Sequence, residues 1–303
     1  MIFTKPILAA PLLPPHLEHT DANIFGAMKQ LKHWPVLATL KKDGIRAIRA
    51  NGSLVSRTLK PIPNHLLRSA SIVLPAGFDM ELWRKDLDYC DVESIVMSRE
   101  HPLTNMIEYH ILDWFGAAPS YAERCTKLCQ FMYDSPPSSI KFAPPIECQN
   151  AEQLFALFRT IEEEAGEGVC FRTPTSPYKQ GRSTLNEQYL VKLCRNITAE
   201  ATVIGFKEQM ANTNPPSRNA VGSMDRSSHG HRLLGKNTLG ALEVRGEDGV
   251  EFSIGTGFTD VQRSAIWRLR DTFLGCVCTY KCKQHGKKIK PRSPVWKGWR
   301  NDI

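Results

Sequence analysis

The residues with the clearest capacity for chemistry are Lys41-Lys42-Asp43-Gly44-Ile45-Arg46, which read K-x-D-G-x-R. A lysine amine attacks an electrophile only when it is neutral, and burial or neighbouring cations bring its pKa down from about 10.4 toward that state. A lysine held at the end of a buried strand, beside a tight turn, is placed to face a cleft. Residues 35–40 are apolar and partly β-branched, so they predict such a strand. Asp43-Gly44 predicts the turn, residues 45–50 a second strand, and Asn51-Gly52 a two-residue hairpin into 53–57. An ordinary surface lysine beside a hairpin would show the same four residues, so the rest of the chain must decide.

The elements that would position this lysine follow from the same patterns. Residues 77–83 read as a strand on which Asp79 and Glu81, two apart, share one face. Residues 109–114 form another aromatic-rich strand, and 66–74 a short helix capped by Asn64. Ser120 and Glu123 make a capping box for a helix over 120–134, whose stripe Tyr121, Cys125, Leu128, Cys129 and Met132 is expected in the core. Asn150 caps a second helix that Gly166 ends. Residues 167–172 and 189–193 are strands, with the basic turn 178–183 between them. From residue 201 helical patterns vanish until 260. Short strands over 201–206, 239–244 and 250–254, a helix over 260–273 capped by Thr259, and a strand over 275–280 suggest a small β-barrel of the OB type. Residues 212–236 are long, polar and rich in Asn, Ser, Gly and Pro, and are expected to be a mobile loop that orders on a polyanion.

The 303 residues, 42 % hydrophobic and 23 % charged, suit a globular protein with ample core. A net charge of +8 suggests a polyanionic partner. Between residues 281 and 300 there are eight Lys or Arg and no Asp or Glu, a density suited to phosphate contacts. No run of 18 apolar residues is present, so no membrane span is expected. The proline-broken start reads as an extended arm over 1–22 and not as a signal peptide. Nine dispersed cysteines without a C-x-x-C pair point to reduced thiols in the cytoplasm. The tightest group, Cys276, Cys278, Cys282 and His285, matches none of the usual zinc spacings, and buried small apolar roles suit it better.

The lysine motif resembles that of the covalent nucleotidyltransferases: ATP-dependent DNA ligases, RNA ligases and mRNA capping enzymes. Further motifs follow in order, and over nearly the whole chain the sequence is most similar to the short ATP-dependent DNA ligases of the bacteriophage type. That resemblance implies an α+β fold, with a nucleotidyltransferase domain over 1–196 and a C-terminal OB-fold β-barrel domain over 197–303 that binds DNA. It implies that Lys41 carries AMP, that Thr39, Asp43 and Arg46 lie around the nucleotide, and that Glu81 holds the ribose. Tyr109 or Trp114 would stack on adenine, because Leu112 occupies the place where an aromatic is often found. Met80 stands where glycine is usual. Glu167, with Asp43, would bind Mg²⁺, a hard cation that prefers oxygen. Lys192 would meet the α-phosphate, with Cys194 in place of a second lysine, and Lys297 and Arg300 would orient pyrophosphate. Arg57, Lys60, Lys179, Arg182, Arg226, Lys281, Lys283, Lys287 and Lys288 would contact DNA. The implied activity is the ATP-dependent sealing of nicked double-stranded DNA by a monomer. RNA ligation, capping, or an idle nick-binding role stay open as alternatives at this stage.

Overall fold

The computed structural model describes residues 5–14, 17–50, 52–134, 136–164, 166–219, 221–222, 224–227, 232–283 and 290–300. The chain divides into two compact units, Met1–Cys194 and Arg195–Ile303.

The first unit holds strands β1 (Ile7–Leu8), β2 (Ala10–Pro11), β3 (Val36–Leu40), β4 (Ile45–Ala50), β5 (Ser53–Ser56), β6 (Phe78–Trp83), β7 (Glu108–Trp114), β8 (Ile140–Lys141), β9 (Ile146–Cys148), β10 (Val169–Arg172), β11 (Gly181–Arg182) and β12 (Val191–Leu193). They form two five-stranded sheets, ordered β2-β12-β10-β3-β9 and β5-β4-β6-β7-β8, and a β1-β11 pair. The K-x-D-G-x-R stretch therefore does not close a hairpin. It carries the chain from β3 of one sheet to β4 of the other. The hairpin is the next one, where Ala50 pairs with Ser53 across Gly52, whose φ of 74° suits glycine. Asn51 lies outside the described residues.

Each sheet has one face buried under helices. The helix Ala151–Glu163 lays Ala151, Leu154, Phe158 and Ile161 on the first sheet, beside Ile24 and Met28 of the helix Asp21–Lys29. Asn150 caps it by accepting from the Gln153 N–H at 3.0 Å. Three helices, His65–Ala70, Tyr89–Met97 and Tyr121–Tyr133, cover the second sheet. Ser120 and Glu123 form the expected capping box.

The buried stripe of the helix Tyr121–Tyr133 is Tyr121, Arg124, Cys125 and Leu128. The expectation that Cys129 joins it is corrected: Cys129 is exposed. Arg124 is buried instead because Asp113 receives its guanidinium. Period-two alternation sends Phe78, Met80 and Leu82 of β6 into the core. Met80, in the place of a glycine, is a core side chain on the face opposite Asp79 and Glu81.

The second unit has β13 (Ile197–Asn212), β14 (Pro216–Arg218), β15 (Met224–Arg226), β16 (Leu233–Gly246), β17 (Glu251–Ile254), β18 (Val277–Lys283) and β19 (Arg292–Trp299). The sheet order is β17-β16-β13-β18-β19, and a Thr256–Val295 bridge joins its two ends into a barrel. Five strands with a helix, Asp260–Arg268, before β18 make the OB-type architecture.

Two expectations are corrected. Of residues 212–236, those described are not a structureless loop: β13 and β16 run beyond the barrel as a ribbon, pairing Asn212 with Leu233, and β14 and β15 pair beside it, while 220, 223 and 228–231 lie outside the described residues. This ribbon has little to bury, so its sequence lacks the alternation that marks a strand. The basic tail is also partly structural. Trp296 stacks on Phe258 at 4.8 Å and Trp299 on Phe273 at 4.5 Å. Cys278 and Cys282 face the barrel core, and His285 lies outside the described residues. Among the described residues no group of three or more His, Cys, Asp or Glu could hold a metal ion, and no helix is long and apolar enough to cross a membrane.

Candidate active site

The two sheets of the first unit both contribute to one cleft of about 670 Å³. On the first sheet, Cys170 of β10 lies opposite Thr39 of β3 on one side and Lys192 of β12 on the other. Alternation then places Lys41, Arg172 and Cys194 on that same face. On the second sheet, Arg46 lies opposite Glu81. Thr39, Lys41, Arg46, Glu81, Leu112, Cys170, Arg172 and Lys192 all line the cleft. Arg57, Lys60 and Arg182 line it as well, adding positive charge suited to phosphates.

Lys41 sits just past the end of β3, where its backbone N–H donates to the Gly168 carbonyl at 2.8 Å. Its ammonium is ion-paired with Glu167. Burial alone would lower the Lys41 pKa, but Glu167 wins and holds it above the ordinary lysine value. The Lys41 amine is thus held in its charged form. Gly168 has φ of 144°, and a Cβ there would lie 2.1 Å from the Leu193 carbonyl oxygen, so only glycine lets β10 and β12 approach beneath Lys41.

Arg46 is locked. Its Nε donates to Asp79 Oδ1 at 2.8 Å, Nη2 to Asp79 Oδ2, and Nη1 to the Ile7 carbonyl at 2.7 Å. Tyr178 Oη donates to the same Asp79 at 2.6 Å. Glu81 takes no part in this lock, and burial pushes its pKa up to about 7 against the pull of Arg46 and Lys41. Lys42 lies over the Trp83 ring at 5.6 Å, and burial lowers its pKa against the opposing pull of Glu81 and Glu108.

Behind Leu112, Asp113 is fully buried between two guanidinium groups: Arg124 Nε at 2.6 Å and Arg172 Nη1 at 2.5 Å. Burial would raise the Asp113 pKa, but Arg172 and Arg124 hold it below the usual carboxylate range.

Solved structures place this geometry in a family. The chain is 30 % identical to a Chlorella virus DNA ligase-adenylate, with a TM-score of 0.54 and 99 % of both chains covered. The chain belongs to the ATP-dependent DNA ligases. A second crystal structure of a Chlorella virus DNA ligase-adenylate gives 28 % identity, a TM-score of 0.54, and coverage of 98 % of this chain and 100 % of that one. The fold is shared with Lig E DNA ligases at 23 % identity and a TM-score of 0.67, over 88 % of this chain and 92 % of that one. A family model described as the DNA ligase OB-like domain matches residues 235–300. No curated protein sequence matches the chain. The ligase takes AMP from ATP onto a lysine, passes it to a 5′-phosphate, and releases it when a 3′-hydroxyl closes the strand.

Not every residue singled out in the sequence reaches the cleft of this ligase. Tyr109 does not: it is 3 % exposed, and its hydroxyl donates to the Leu67 carbonyl at 2.8 Å. It shares the core-facing side of β7 with Ile111, and Leu112 alone of that strand lines the cleft. Trp114 packs on Phe78 and Phe131. The expected aromatic platform from β7 is therefore corrected to an aliphatic wall. Asp43 is half-buried in the link between the sheets and does not line the cleft. Lys179 is paired with Glu187 at 2.7 Å.

In the second unit, Arg300 Nη1 donates to Glu200 Oε2 at 2.6 Å, Lys297 and Lys283 are half-buried, and Arg226 is exposed and donates to the Asn214 carbonyl. Lys281 was expected to be an open DNA contact. It is only 8 % exposed, with its pKa lowered by burial and by Lys297, so it does not present a free ammonium. Lys287 and Lys288 lie outside the described residues. Arg172 was missed in the sequence, and Asp79 was noted there only for sharing a face with Glu81, not as the partner of Arg46. Arg172 was legible, since it sits two residues beyond Cys170 on the same strand face.

Proposed function

We propose that Lys41 is the nucleophile of this ligase. Its Nζ attacks the α-phosphorus of ATP, a P–N bond forms, and the bond to pyrophosphate breaks. The carrying observation is that the lysine lines one cleft together with the cations Arg46 and Lys192 and is ion-paired with Glu167. Adenylyl transfer gathers negative charge on phosphorus, and fixed cations beside the nucleophile stabilise it. Attack needs the neutral amine, so the Lys41–Glu167 pair has to open.

Mg²⁺ fits the donors present. It is usually held by one or two carboxylates together with substrate phosphates, and Glu167, ion-paired with Lys41, would hold it here, whereas Asp43 does not line the cleft. Bound there, it would offset phosphate charge. Glu81 and Arg46 would hold the ribose, Thr39 would lie against the base, and Lys192 would meet the α-phosphate. Lys297 and Arg300 of the OB-type unit would orient the leaving pyrophosphate.

Nicked duplex DNA is the proposed substrate. Arg57, Lys60 and Arg182 at the cleft, with Lys179, Arg226 and Lys283 outside it, would position phosphates without reading sequence. A monomer is proposed. Nine free cysteines suit the reducing cytoplasm. The test is sealing of a 5′-phosphorylated nick in duplex DNA with ATP and Mg²⁺, beside the same nick in RNA and beside GTP. Sealing confined to DNA and ATP supports the reading, and GTP-dependent or RNA-confined joining overturns it.

A further inference from the structure

The N-terminal arm has little reason to be where it is if it only leads into the first helix. Residues 5–14 run along the edge of the first unit and are held by a series of hydrogen bonds. The Lys5 N–H donates to Gln180 Oε1 at 3.1 Å, Gly181 N–H to the Pro6 carbonyl at 3.1 Å, and Ser183 N–H to the Leu8 carbonyl at 2.8 Å. Further along, the Ala10 N–H donates to the Leu190 carbonyl and the Leu12 N–H to the Lys192 carbonyl, both at 2.9 Å. β1 is thereby parallel to β11, and β2 to β12, the strand that carries Lys192.

Two further carbonyls of the arm hold cations of the cleft. Arg46 Nη1 donates to Ile7 O, and Arg182 Nη1 donates to Ala9 O at 3.0 Å. Ile7 is wholly buried against Phe115, Tyr178 and Leu190. The next two residues, Leu8 and Ala9, line the cleft.

We propose that Leu8 and Ala9 are nucleotide-contacting residues: the arm supplies an apolar wall of the cleft that touches the nucleoside of bound ATP, while its carbonyls fix Arg46 and Arg182. This rests on the reading that the cleft takes ATP. An apolar wall complements a nucleoside and not a phosphate, and a wall tied by this many backbone bonds is preorganised, so little ordering cost falls on binding.

Full-length Leu8→Cys and Leu112→Cys variants test it. Each is treated with N-ethylmaleimide before and after incubation with ATP and Mg²⁺, and labelling at each cysteine is read by peptide mass mapping. Exposed Cys129 serves as the internal reference. The expected result is that ATP slows labelling at positions 8 and 112 at least fivefold and leaves Cys129 unchanged. Protection at 112 without protection at 8 overturns the arm proposal and leaves the cleft reading intact. Protection at neither position overturns the cleft reading, and the arm proposal with it. As a functional counterpart, Leu8→Trp should raise the ATP concentration for half-maximal self-adenylylation at least tenfold. An unchanged value overturns the proposal.

Discussion

Gly168 is the position where a single methyl group should be most disruptive. Its φ of 144° is one that side-chain-bearing residues rarely adopt, and holding such a residue there costs about 1–3 kcal/mol. A Cβ would also lie 2.1 Å from the Leu193 carbonyl oxygen and 3.0 Å from Cys194 Cα. Both are backbone atoms of β12 or of the residue just after it, so no side chain can swing aside, and overpacking of this kind costs a further 1–3 kcal/mol or so. A total of about 4 kcal/mol corresponds to a fall in Tm of roughly 8–16 °C for a unit of this size. Gly116→Ala is the control. Its φ is 77°, but nothing lies within 4 Å of its Cβ, so only the backbone cost of about 1–2 kcal/mol applies. Circular dichroism melts of both variants should show Gly168→Ala losing at least twice as much Tm. Self-adenylylation should fall as well in Gly168→Ala, because the Gly168 carbonyl receives the Lys41 N–H. Equal losses in the two variants would refute the argument that the β10–β12 approach sets this residue.

Three further outcomes are expected. Cys194→Lys should speed self-adenylylation, because a second cation on the strand face that carries Lys41 favours the neutral amine. Lys192→Ala should nearly abolish the step, and a slower Cys194→Lys enzyme in stopped-flow assays would contradict this. Asp113→Ala should cost about 3–5 kcal/mol by stranding Arg124 and Arg172, read as a thermal melt, and a loss under about 1 kcal/mol would argue against the buried triad. Glu81, raised by burial to about 7, binds its proton more tightly folded than unfolded. Its stabilising contribution is therefore complete below about 4.5 and is lost as pH rises through 7. Between pH 5.5 and 8 the wild type should lose more Tm than Glu81→Gln, and parallel curves would contradict that.

Much of this architecture is written in local patterns. The strand before Lys41, the Ser120–Glu123 capping box, and the shared face of Asp79 and Glu81 all follow from residue type and period. What stayed hidden depends on partners distant in sequence. Arg124 is buried and Cys129 exposed because Asp113 sits across the helix–sheet interface, which no helical period reveals. Tyr109 looked like a base platform until its position on the core side of β7, with its hydroxyl on the Leu67 carbonyl, fixed its role. The β13–β16 ribbon buries too little to leave an alternating pattern. The tail's tryptophans stack on Phe258 and Phe273, a pairing that basic composition conceals.

The central claim is that Lys41 is the residue on which AMP is carried, and one measurement addresses it. The full chain is incubated with ATP and Mg²⁺, its intact mass is recorded, and the modified peptide is mapped. The expected result is a single added AMP located on Lys41, and none on Lys41→Ala. An adduct on another residue, or undiminished ATP-dependent nick sealing by Lys41→Ala, would contradict the account.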